Sequence, residues 1–315
     1  MMVPRVGFLI VSCLNLLYLY SMFYRRKIIL GLMELLGCRV GKLQIQKLLF
    51  LYSKMKEDPE YEFVPYKFGC YSYSATADLR TMVKRGLLSQ NEKSYFKEEG
   101  ENFFIQLSLQ DQDFLKKIVD EYGDKSIDGL IKHTYINFPF YAINSTIAKD
   151  VLTGEDLEKI EKAKPENSVE GIYTIGYEGI SLEKYLLKLI RSQIPLLVDV
   201  RRNARSMKFG FSKKSLQRYC ESLGIKYIHM PEVGIASEKR RNLSNQKDYD
   251  NLFVEYRETT LNNTKQVQED ILSLLGKNKR IALTCFEAEP CQCHRTHLAQ
   301  VLCESTEFHY PLIHL

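Results

Sequence analysis

Arg280-Ile281-Ala282-Leu283-Thr284-Cys285 is an apolar, partly β-branched run that suits a buried strand, and Thr296-His297-Leu298-Ala299-Gln300-Val301-Leu302 has the apolar spacing of a helix. Between them Phe286-Glu287-Ala288-Glu289-Pro290 is a loop marked by its proline, and it leads to Cys291, Cys293, His294 and Arg295. The stretch therefore reads strand, loop, helix. Thiol, imidazole and guanidinium groups gather where the strand ends and the helix begins. At such a junction the helix dipole and free N–H groups favour anions and ease ionisation of a thiol.

Upstream, the same alternation repeats. Strand candidates at 172–175, 196–200 and 226–229 are separated by helical patterns at 182–192 and 213–223, and a long helix over 248–275 precedes the strand at 281–285. Alternating elements of this kind predict βαβ units, hence an α/β domain with a mainly parallel sheet and flanking helices in Rossmann-like layers. Ligands of open parallel sheets bind beyond the carboxyl ends of the strands. Tyr177 and Glu178, Asp199 with Arg201 and Arg202, His229 with Glu232, and Cys285 with Glu287 then fall on one rim.

Several of these segments carry a family resemblance. Cys285-Phe286-Glu287 with Cys293-His294-Arg295 resembles the closing signature of the domain-of-unknown-function family 488. Tyr173-Thr174-Ile175-Gly176-Tyr177-Glu178-Gly179 and Val198-Asp199-Val200-Arg201 resemble its first two strands, while residues 206–216 and 227–234 resemble the segments that follow. The resemblance spans about residues 171–315. It implies a fold and no particular reaction.

The candidate chemistry follows from residue types. Glu178 and Asp199 are candidate acid/base groups, Cys285 and Cys293 candidate nucleophiles or ligands, and His294 a further catalytic candidate. Arg201, Arg202 and Arg295 are candidate phosphate contacts, since a fixed guanidinium suits bidentate phosphate binding. Net charge is only +5, but seven basic and no acidic residues lie between Arg201 and Arg218. That block fits a nucleotide or nucleic acid, or simply a solvated face. The eight cysteines are irregularly spaced and form no disulfide framework. No metal site is assigned, because no second distant pair of ligands accompanies Cys291, Cys293 and His294. No cofactor is assigned. Two functions stay open: an enzyme on a phosphate-bearing ligand, and a non-catalytic nucleic-acid- or protein-binding module of a regulatory or defence type.

The first half reads differently. Residues 1–21 form an apolar run followed by Arg25-Arg26-Lys27; a mis-called start, with Met22 as the true beginning, is favoured over a membrane anchor, and a cytoplasmic protein without stable membrane association is expected. Residues 22–150 read as a mostly helical, winged-helix-like domain: an amphipathic helix at 43–51, an extended turn at 63–69, a helix from Tyr73 to Arg85 stopped by Gly86, and a two-stranded wing drawn from 87–88, 95–96 and 103–107. Lys42-Leu43-Gln44-Ile45-Gln46-Lys47-Leu48-Leu49 and Tyr66-Lys67-Phe68-Gly69-Cys70-Tyr71-Ser72 resemble signatures of Panacea-like small domains, which implies a protein or nucleic-acid partner. Lys42 and Lys47 then lie on either a binding face or a solvated one. Residues 151–170 are charged, contain Gly154 and Pro165, and read as a linker to the domain at 171–315.

Overall fold

The computed structural model describes residues 22–240, 243, 245–305 and 310–315. The expectation for residues 1–21 lies outside them. Among the described residues no helix is long and apolar enough to cross a membrane. The chain forms two compact units that divide between Lys159 and Ile160, inside a helix, Glu155–Lys162, in the stretch read as a linker.

In the first unit the helices Tyr24–Leu35 and Lys42–Ser53 supply most of the core, with Ile28, Leu32, Ile45, Leu48 and Leu49 fully buried. The second helix is less amphipathic than its sequence suggests, because every residue from Ile45 to Ser53 is buried. Lys47 belongs to neither a binding nor a solvated face. It is 1% exposed, and its Nζ donates to the Phe68 carbonyl and lies 3.5 Å from the Cys70 sulfur. A buried ammonium needs such partners, and the hairpin of β2 (Val64–Tyr66) and β3 (Gly69–Tyr71) provides them. Helix Tyr73–Lys84 is capped by the Ser72 hydroxyl and ends before Gly86 at φ +70°. β4 (Leu88–Gln90) and β5 (Ser94–Lys97) make an antiparallel hairpin, and β1 (Arg39–Gly41) joins it as a third strand. Residues 103–107, expected to belong to a wing, add no strand to this sheet: Phe104–Gln106 is a single 3₁₀ turn, because the Phe103 and Phe104 amides donate to the Glu34 carboxylate instead of to a strand.

The second unit is the expected α/β domain. Five parallel strands lie in the order β10-β6-β9-β7-β8, with β6 at Gly171–Gly176, β7 at Leu196–Asp199, β8 at Lys226–His229, β9 at Arg280–Cys285 and β10 at Leu312–His314. Apolar side chains of β6, β7 and β9 are buried throughout, as parallel strands covered on both faces require. Strand β9 returns between β6 and β7, so the ends of all three converge on one rim. The long helix expected over 248–275 is two helices, Gln246–Tyr256 and Lys265–Asn278, separated by a π-helical turn at Arg257–Leu261. The break falls in Thr259-Thr260-Leu261-Asn262-Asn263-Thr264. There the Thr259 and Thr264 hydroxyls donate to carbonyls four residues back and compete with the helix ladder.

Candidate functional site

The loop after β9 is bound down at both ends. Tyr177 and Glu178 donate their amides to the Phe286 carbonyl at 3.1 and 2.9 Å, and the Glu178 carboxylate accepts from the Ala288 amide at 3.0 Å. From the other side Arg295, 1% exposed, donates to the carbonyls of Glu287 and Ala288 at 2.5 and 3.1 Å. Its Nε has no hydrogen-bond partner among the described residues. The loop runs so close to β6 that a Cβ on Gly176 would lie 1.9 Å from the Glu287 carbonyl oxygen, so only glycine fits there. Across the rim, a Cβ on Gly234 would lie 2.2 Å from the Arg202 amide nitrogen, which packs the 231–235 turn onto the end of β7.

These constraints turn the Glu287 side chain toward the junction. The Cys293 thiol donates to Glu287 Oε2 at 2.9 Å, while Arg240 forms an ion pair with Oε1. Arg240 also donates to His294 Nδ1 at 2.5 Å and lies 3.9 Å from the Cys285 sulfur. His294 Nδ1 is 3.6 Å from Cys285 Sγ and 4.0 Å from Cys293 Sγ. Its Nε2 lies 3.0 Å from the Val200 carbonyl. A carbonyl only accepts, so Nε2 carries the hydrogen and the Nδ1 lone pair faces the thiols. One donor atom from each of Cys285, Glu287, Cys293 and His294 lies within 4.8 Å of every other.

The electrostatics are those of a small buried cluster. Burial alone would raise the Cys285 thiol, but its contacts with Cys293 and His294 and the Arg240 charge together hold it well below the ordinary thiol range. Burial, the hydrogen bond with Cys285 and the neighbouring Cys285 charge push the Cys293 thiol far up. Burial and the same charge raise Glu287.

Beside the cluster opens a cleft of about 280 Å³, with Arg201, Arg202, Arg205, Arg240, Cys285 and His294 among its walls. The structure thus brings Cys285 and His294 together with Arg201 and Arg202, and Cys293 lies directly behind them. It places the other candidates differently. Asp199, fully buried, accepts from the Arg201 amide and guanidinium and from the Tyr227 hydroxyl. Arg201 spends its remaining donor contacts on the Tyr177 hydroxyl and the Phe211 carbonyl. Glu178 and Arg295 hold the loop. Arg202 and Arg205 are exposed. Arg240 was not singled out by sequence reasoning: it sits on a short 3₁₀ turn, Ser237–Arg240, with no periodic pattern to mark it.

A five-stranded parallel α/β domain with a polar cluster at its strand ends is the class that fold and site define. The family model for the domain of unknown function DUF488 matches residues 181–302, within the C-terminal half of the chain. No curated protein matches the chain.

Proposed function

We propose that the C-terminal domain binds a phosphate-bearing ligand, a nucleotide or a nucleic-acid phosphate, in the arginine-walled cleft and acts on it there. The observation that carries this reading is the position of Arg202, Arg205 and Arg240 around one cleft with Cys285 and His294 in its wall. Guanidinium groups suit phosphate. A buried thiol and imidazole add nothing to phosphate affinity, and this favours chemistry over binding alone. The cleft volume is near the lower end for small-molecule sites and suits a phosphate with its sugar better than a large ligand. In this reading Asp199 positions Arg201, while Glu178 and Arg295 hold the 286–288 loop in place.

A second reading rests on a different surface. Arg205, Met207, Lys213 and Lys214 line an adjoining hollow of about 470 Å³ that shares Arg205 with the cleft, and Met207 and Phe209 are exposed beside them. Basic groups interleaved with apolar ones suit a nucleic-acid strand bound without catalysis. The winged-helix-like reading of the first unit, with its β4–β5 hairpin as wing and a nucleic acid or protein as partner, belongs with this alternative.

Thermal-shift measurements on the full chain separate the two. Stabilisation by mononucleotides that disappears in Arg202→Ala supports the cleft. Stabilisation by oligonucleotides alone, weakened by salt and by the double change Lys213→Ala/Lys214→Ala, overturns it in favour of the binding module.

A further inference from the structure

We propose that Cys285, Cys293, His294 and Glu287 form a binding site for one zinc-type divalent cation beside the arginine cleft. The donor set is two sulfurs, one imidazole nitrogen and one carboxylate oxygen, the ligand types zinc prefers over magnesium or calcium. A tetrahedron with ordinary zinc–sulfur and zinc–nitrogen bonds places its ligand atoms about 3.3–3.8 Å apart. Here the Nδ1-to-sulfur separations are 3.6 and 4.0 Å, and all four donor atoms lie within 4.8 Å of one another. The cage therefore needs only small side-chain adjustments to close on an ion. Cys285, Cys293 and His294 are each 2% exposed or less, so water competes weakly for the position.

Two further observations point to a cation. The imidazole is held as a metal-ligating histidine is: Nε2–H donates to a backbone carbonyl, which fixes the tautomer and aims Nδ1 inward. Positive charge already occupies the spot, since the Arg240 guanidinium reaches Glu287, His294 Nδ1 and the Cys285 sulfur together. The Cys293 thiol hydrogen points at Glu287 Oε2, where the metal would lie between the two ligands. On binding, Cys285 and Cys293 coordinate as thiolates, and any protons they carried pass to solvent. Arg240 leaves Nδ1 but keeps Glu287 Oε1, while Oε2 turns to the ion. Arg240 then orients the carboxylate from outside the coordination sphere. Cys285 and His294 also line the cleft, so an ion here lies beside whatever the arginines hold. The site rests on these donor positions and not on the phosphate reading, so either can fail alone.

The test uses the full chain, stripped with chelator under a thiol-free reductant and titrated with Co²⁺. A sulfur-to-cobalt charge-transfer band with tetrahedral d–d absorption, saturating at one ion per chain and displaced by Zn²⁺, is expected. Cys293→Ser should abolish the band, and Arg240→Ala should keep it, with affinity changed by no more than about 100-fold. The same Arg240→Ala protein reports separately on phosphate binding. Absence of the band at stoichiometric Co²⁺, or its survival in both Cys293→Ser and Cys285→Ser, overturns the site. Should the serine variants fail to fold, alkylation mapping of the unaltered protein decides. Zn²⁺ should protect Cys285 and Cys293 while the exposed Cys291 reacts as before, and equal labelling with and without Zn²⁺ overturns the proposal.

Discussion

Two arginine–carboxylate pairs lie on the same rim and differ in what surrounds them. Asp199 and Arg201 are buried and closed: the carboxylate accepts from the guanidinium, the Arg201 amide and Tyr227, and Arg201 continues to Tyr177 and Phe211. Glu287 and Arg240 face two thiols and an imidazole, and the Arg240 side chain keeps 23% of its exposure. A closed pair spends its charge on the fold. An open one leaves charge and lone pairs for a ligand.

The comparison breaks first at Asp199. Asp199→Ala leaves Arg201 buried without its partner, and a loss of about 3–5 kcal/mol is expected in denaturant unfolding of the C-terminal unit. A loss below about 1 kcal/mol would show that the pair is not closed. Next comes Gly176→Ala, whose Cβ meets the Glu287 carbonyl. Displacing the loop should cost about 1–3 kcal/mol, read as a lower melting temperature.

Asp111 in the first unit extends the closed class. It accepts from Tyr24, Tyr52, Lys56 and Ser108. Burial alone would raise its carboxyl, but these hydrogen bonds outweigh burial and hold it at about 2. A carboxyl with a depressed folded pKa contributes stability that is fully present above its unfolded value near 4 and is lost as pH falls through about 2. After allowance for solvent screening that is about 1–2 kcal/mol, and Asp111→Asn should flatten the acid limb of the stability curve. The smallest effect is expected at the open pair: Glu287→Gln keeps its one oxygen for Arg240 and turns its amide toward the Cys293 sulfur, and it should cost about 0–1 kcal/mol in the same unfolding assay. A loss as large as that of Asp199→Ala would erase the distinction.

Much of the second unit was legible because its information is local. The strand at 280–285, the loop with Pro290 and the following helix could be read from apolar runs and a proline, and the parallel sheet followed from the alternation of elements. The wing strand drawn at 103–107 failed where Glu34, far off in sequence, took the amides, and the single helix at 248–275 failed where threonine hydroxyls diverted carbonyls. Lys47 was misread because periodicity carries no sign that a hairpin carbonyl waits for an ammonium.

For the site, sequence alone determined that Cys285, Cys293, His294 and Arg295 share one strand–helix junction, since they lie within eleven consecutive residues. Tertiary structure decided which way they face. Arg295 turns to its own loop, Arg240 arrives from 45 residues upstream of Cys285, and the loop that carries Glu287 is held by amides just past the end of β6. Such choices depend on groups distant in sequence that compete for the same buried donors and acceptors, and only the packed fold settles that competition.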